Sequence, residues 1–142
     1  MTYLDTGCFV KLYYPEPDSA RVIAAIQGKS VCFTPPHEQE FVNALQLKVF
    51  FKGATAAQVF AARSLVEVDL KSGVLVAASG TWKEIFQEAT KLAEQFSGTV
   101  GCRSLDILHC AAAKLLAAGE FISTDLRQKK LAMAMGLNVV AV

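Results

Sequence analysis

This chain of 142 residues lacks the features that mark several common protein classes. It has no surplus of one charge, since 14 Lys and Arg stand against 13 Asp and Glu for a net charge of +1. Contact with a polyanion therefore needs a local basic patch rather than a field of the whole molecule. It has no long apolar run. The longest uncharged stretch, Leu131–Val142, has 12 residues and is broken by Gly136 and Asn138, whereas a membrane-spanning helix needs about 20. No membrane span is expected. The opening Met-Thr-Tyr-Leu-Asp has no basic n-region, so no secretory signal is expected either. Cysteine is sparse: Cys8, Cys32, Cys102 and Cys110 form no Cys-x-x-Cys pair, and only His37 and His109 could complete a metal knuckle. They read as reduced thiols of a cytoplasmic protein rather than a zinc site or a disulfide framework.

What is present is apolar. Hydrophobic residues make up 53% and charged residues 19%, too apolar for a disordered chain. The length suits one domain over residues 1–142. Short apolar runs at Met1–Leu4, Val31–Phe33, Val74–Ala77, Phe121–Ser123 and Asn138–Val142 read as strands. Helical periodicity fills the gaps: Gly7–Tyr14 (stopped by Pro15), Asp18–Ile26, Glu38–Phe51 (closed by Gly53) and Thr55 to about Lys71. It continues from Thr81 past Phe96, then over Ser104–Leu116 and Leu126–Met135. Thr55-x-x-Gln58 and Thr81-x-x-Glu84 read as capping boxes, and Ser104 as a helix N-cap. Strands that are apolar on both faces and separated by helices predict a three-layer α/β/α sandwich around a parallel five-stranded sheet. Ligands in such folds bind beyond the carboxyl ends of the strands, near a reversal of strand order.

Four acids fall where that rule points. Asp5 follows the first strand, Asp125 follows the fourth, and Glu40 and Asp106 lie in the first turns of helices. Two carboxylates about 5 Å apart repel by about 3 kcal/mol at an effective dielectric near 20. Several such pairs would rival the stability of a small domain, about 5–15 kcal/mol. Something positive must lie among them, and an all-oxygen set suits a hard divalent ion, Mg2+ or Mn2+. Such an ion reverses the local charge, so phosphate is attracted and a coordinated water is made acidic. That chemistry points to metal-assisted phosphodiester hydrolysis.

At these residues the chain resembles a family. Tyr-Leu-Asp5-Thr-Gly, Glu40-Phe-Val-Asn-Ala-Leu, Arg103-Ser-Leu-Asp106-Ile-Leu-His-Cys-Ala-Ala-Ala and Phe-Ile-Ser123-Thr-Asp125-Leu-Arg look like the four signature segments of the PIN domain. The nearest subgroup is the VapC-like toxins of bacterial type II toxin–antitoxin modules. The resemblance implies a PIN-like fold and a metal-dependent endoribonuclease, a homodimer silenced by a cognate antitoxin. It makes Asp5, Glu40, Asp106 and Asp125 the catalytic, metal-binding quartet. It makes Thr6 and Ser123 hydroxyls that steady carboxylates. The frequent Asp-Thr-Ser opening is Asp-Thr-Gly here, so one hydroxyl is missing.

Other residues carry weaker expectations. Arg103 and Arg127, nearest the quartet in sequence, are expected to hold an RNA backbone, with Lys11, Lys48, Lys52, Lys129 and Lys130 as ordinary helix charge or further contacts. His109 shares a helical face with Asp106 and reads as a satisfied, partly buried histidine rather than a general base. His37 reads as a surface residue of a first helical turn. The apolar surplus in Leu45–Phe60 cannot fit one helical face and predicts a surface for a second copy or the antitoxin. A phosphatase of the haloacid-dehalogenase type would need an acid at Gly7, and a receiver domain one at Leu4. A non-catalytic PIN-like module binding RNA or protein remains the alternative from another class.

Overall fold

Alternation along three-residue strands builds the core. The computed structural model describes residues 1–78 and 80–142. In β1 (Thr2–Leu4) and β2 (Val31–Phe33), Leu4 and Val31 point to one face of the sheet while Tyr3 and Cys32 point to the other. In β4 (Glu120–Ile122), Ile122 and Phe121 divide in the same way. Both faces are therefore apolar, and both are covered. Full burial of each such large side chain contributes about 1.5–3 kcal/mol.

The first face takes α1 (Thr6–Tyr13), α2 (Ser19–Ile26), α3 (Pro35–Phe50) and α4 (Ala56–Ser72). The opposite face takes α5 (Trp82–Val100), α6 (Ser104–Leu115) and α7 (Leu126–Ala134). With β3 (Leu75–Ala77) and β5 (Val139–Val140), the sheet is entirely parallel in the order β3-β2-β1-β4-β5. The chain thus winds outward from β1 in one direction, returns, and winds outward in the other through β4. Right-handed crossovers put helices of the two halves on opposite faces. The reversal lies between β1 and β4, paired from Thr2↔Glu120 to Leu4↔Ile122. No described helix is long and apolar enough to cross a membrane.

Most element boundaries differ from the expected ones by one to three residues, for local reasons. α3 starts at Pro35 rather than Glu38, because proline suits a first turn whose N–H groups are unpaired anyway. Its end departs from expectation too. The left-handed residue is Lys52 (φ 59), not Gly53. Lys52 N–H donates to Val49 O and Gly53 N–H to Lys48 O, at 2.9 and 2.8 Å. This is a Schellman closure with the glycine one position later than usual. Arg103, not Ser104, is the N-cap residue of α6. Thr81 bonds the Glu84 side chain, and its hydroxyl caps no backbone N–H.

His37 contradicts its reading as a surface residue: it is fully buried. Its Nε2–H donates to Leu4 O at 2.7 Å, and its Nδ1 accepts from Thr34 N–H at 3.2 Å. The ring ties the end of β1, one residue before Asp5, to the start of α3, three residues before Glu40. Burial, aided by nearby His109, pushes its pKa down from 6.5 to about 3. The unfolded chain thus binds a proton between those values that the folded chain refuses. The stability contributed by neutral His37 is complete above about pH 6.5 and is lost as the pH falls toward 3. Unfolding midpoints measured from pH 7 to 4 should show a smaller acid loss in His37→Gln. The two curves should converge by up to about 1.4 kcal/mol per pH unit.

Candidate active site

The four acids come from four elements and line one cavity of about 390 Å³ beyond the carboxyl ends of β1 and β4. Its position is the reversal of strand order, where this architecture leaves a crevice. Each carboxylate is held in a different way, and the differences decide what each has left to offer.

Asp5 ends β1 and caps α1. Its Oδ1 accepts from Cys8 N–H at 2.6 Å, and its Oδ2 is bonded by the Ser123 hydroxyl. Ser123, fully buried after β4, also lies 2.9 Å from Gln128 Oε1 and accepts from Asp125 N–H at 3.0 Å. One hydroxyl thus joins the acids that follow the two central strands. Asp125 caps α7, its Oδ1 accepting from Arg127 and Gln128 N–H at 2.8 and 2.9 Å. The Gln128 N–H, more than that of Arg127, holds its carboxyl below the usual range against the opposing effect of burial.

Glu40 lies on α3. Its Oε2 accepts from the Thr6 hydroxyl at 2.5 Å and from His109 Nε2–H at 2.6 Å. Burial pushes this carboxyl up, but the bonds from His109 and Thr6 outweigh it and leave the pKa lowered. Thr6 therefore steadies Glu40 rather than its neighbour Asp5. Asp106, in the first turn of α6, accepts from Arg103 N–H at 3.2 Å and from the Arg103 guanidinium at 3.0 and 3.3 Å. The same guanidinium stands 3.9 Å from Asp125.

Arg103 supplies the positive charge that clustered acids demand. Among the described residues, no three His, Cys, Asp or Glu side chains converge closely enough to hold a metal ion as they stand. The donor chemistry nevertheless fits a hard cation. Four carboxylates line the cavity and no cysteine does. The charge now occupying the place is a guanidinium on a side chain 70% exposed, a weakly held partner for two acids. Arg127 is exposed; its backbone N–H bonds Asp125, and its charge helps to lower the Asp125 pKa. Lys11 closes part of the rim, 3.2 Å from Thr124 Oγ1. An added Cβ at Gly7 would lie 3.5 Å from Asp5 Oδ1, an ordinary contact, so glycine is no steric requirement there.

Sequence reasoning missed Gln128 and Tyr3. Gln128 is 1% exposed, and its Nε2 donates to Asp106 O at 3.3 Å, tying α7 to α6 behind the acids. The signal was available: Gln128 precedes the buried Leu131 and Ala132 by three and four residues and so shares their inward face. Tyr3 gave no signal, being one aromatic in an apolar strand.

The fold and cavity define an α/β protein with an acidic crevice at its switch point. The chain belongs to the PIN domain family, whose model matches residues 2–133. PIN domains are in general nucleases that use divalent metals. Among solved structures the chain is similar to FitAcB from Neisseria gonorrhoeae, at 15% identity and a TM-score of 0.65, covering 99% of this chain and 97% of that one. It is also similar to VapBC2 from Rickettsia felis bound to a DNA fragment from their promoter, at 16% identity and a TM-score of 0.64, covering 99% and 98%. At these identities the likeness is one of fold. No curated protein matches the chain in sequence.

Asp125 has both a capping duty and a charge, and substitution can separate them. Asp125→Ala should lower stability by about 1 kcal/mol, because two N–H groups of α7 lose their acceptor. Asp125→Asn keeps an equally good cap and should stay within about 0.5 kcal/mol of the unchanged chain in urea unfolding.

Proposed function

We propose that this chain is a metal-dependent endoribonuclease and the toxin of a toxin–antitoxin pair. The observation that carries the reading is the gathering of Asp5, Glu40, Asp106 and Asp125 from four elements onto one cavity at the switch point. A purely structural role would not need four acids there, since the cost of their mutual repulsion must be offset. Membership of the PIN family supports nuclease chemistry. The VapC-like motifs, and the shared fold with a VapBC complex, support the toxin assignment. The residues that would hold Mg2+ or Mn2+ are the same four acids. When bound, the ion would supply charge neutralisation and an acidified water for in-line attack at phosphorus. The chain's own residues do the rest. Ser123 and the Cys8 N–H fix Asp5, His109 and Thr6 fix Glu40, and the caps of α6 and α7 fix Asp106 and Asp125. Arg103, once displaced from Asp106, and exposed Arg127 would be cations for an incoming phosphate. The free thiols suit the cytoplasm.

The partner surface is proposed on α3 and α4. Phe50, Phe51 and Phe60 are 75%, 73% and 74% exposed. A groove of about 430 Å³ between the two helices is lined by Val49, Val59 and Phe60 with Arg63 and Glu67 at its edge. Aromatic side chains this exposed are anchors for a partner. A second copy of the chain and the antitoxin are the two occupants this reading carries.

Cleavage of a labelled single-stranded RNA should appear with added Mg2+ or Mn2+ and stop with chelator. Asp5→Asn and Asp106→Asn should each lower the rate by about 100-fold or more while the unfolding midpoint stays near that of the unchanged chain. Retained cleavage in a folded Asp5→Asn chain rejects the assignment. In light scattering the unchanged chain should behave as a dimer, and Phe51→Ser with Phe60→Ser should weaken binding to itself or to the antitoxin by about 10-fold or more.

A further inference from the structure

Behind Glu40 lies a chain of buried polar groups that the proposed chemistry does not itself require. Tyr3 Oη is 2.9 Å from His109 Nδ1, and Nε2 of the same ring is 2.6 Å from Glu40 Oε2. Thr6 Oγ1 reaches the same carboxylate oxygen and stands 3.0 Å from Nε2. Tyr3 is fully buried and His109 is 2% exposed, so the Tyr3–His109 contact lies inside the protein. The proton inventory sets the direction. A phenol has one proton to give, and a neutral imidazole has one donor and one acceptor nitrogen. With Glu40 ionised, a ring protonated on Nδ1 would set a bare nitrogen against a carboxylate oxygen, two acceptors face to face. For a neutral ring the consistent arrangement has Tyr3 O–H donating to Nδ1 and Nε2–H donating to Glu40. Oε2 is then engaged twice, while Oε1 has no protein hydrogen bond among the described residues.

We propose that Tyr3 and His109 are positioning residues, a two-step hydrogen-bond relay from β1 through α6 that holds Glu40 on the cavity wall and leaves Oε1 open for a cation. The relay rests on the nuclease reading only for what Oε1 binds; the hydrogen bonds concern the chain's own residues. Glu40 sits on a long side chain of many rotamers. Unheld, it must be ordered each time an ion arrives. Held by a ring whose own tautomer is set by Tyr3, it is ready beforehand. The same geometry leaves His109 no part as a general base, since both ring nitrogens are committed.

Two measurements test the relay. The first reads the His109 ring nitrogens by NMR in the metal-free chain. A single Nε2–H tautomer is expected, and a proton on Nδ1, with or without one on Nε2, overturns the relay. The second titrates Mn2+ alone, without RNA, by calorimetry. Tyr3→Phe and His109→Leu should weaken binding about 10-fold or more. His109→Gln, which keeps a donor near Nε2, should stay within about threefold. A Gln variant that loses as much as the Leu variant overturns the relay, as does a Tyr3→Phe chain of unchanged affinity. Tyr3→Phe removes a single oxygen and keeps the titration decisive should His109→Leu not fold. If the unchanged chain binds no Mn2+ and cuts no RNA, the nuclease reading fails, and the ring spectrum still decides the relay.

Discussion

Negative charge concentrated beside the two central strands is the constraint on which the rest of this structure depends. A parallel sheet whose strand order reverses leaves a crevice between β1 and β4, and the chain puts four carboxylates into it. Their repulsion would oppose folding unless each had donors of its own. Those donors come from distinct sources: backbone N–H groups at the starts of α1 and α7, the hydroxyls of Thr6 and Ser123, the His109 ring, and the Arg103 guanidinium. No buried side-chain polar atom among the described residues is left without a partner. The four acids are thus held in place by the fold itself.

Structural and chemical duties therefore fall on the same atoms. Asp5 and Asp125 are helix caps and also walls of the cavity. A capping role does not exhaust either side chain, because a carboxylate has two oxygens and several lone pairs. In Asp125, Oδ1 serves the helix while Oδ2 stands 3.9 Å from the Arg103 guanidinium. Arg103 carries the same duality. Its exposed side chain pairs with Asp106 and stands 3.9 Å from Asp125, and under the proposed function it is also a phosphate contact. A basic residue read from sequence as a substrate contact is here first a counter-ion.

The buried histidines show where sequence reasoning stopped short. His37 stands in a first helical turn after two prolines, a position that reads as surface. The direction of α3 turns it onto Leu4 O at the end of the middle strand, β1. His109 was legible as a satisfied histidine, but its partners, Tyr3 at 106 residues' separation and Glu40 at 69, were not. Gln128 was legible in principle from the helical face it shares with Leu131.

The order of elements, the parallel α/β class and the positions of the four acids relative to strand ends were readable from the chain alone. Each depends on local pattern: alternation over three residues, helical spacing, a proline or a cap. Which acid each hydroxyl serves, where Arg103 points and which polar groups are buried were decided by tertiary structure. Those outcomes depend on the angle at which one helix meets another and on contacts between residues far apart in sequence, which a linear pattern does not encode. Thr6 is adjacent to Asp5 in the chain, yet it bonds Glu40, because α1 turns its first residue toward α3.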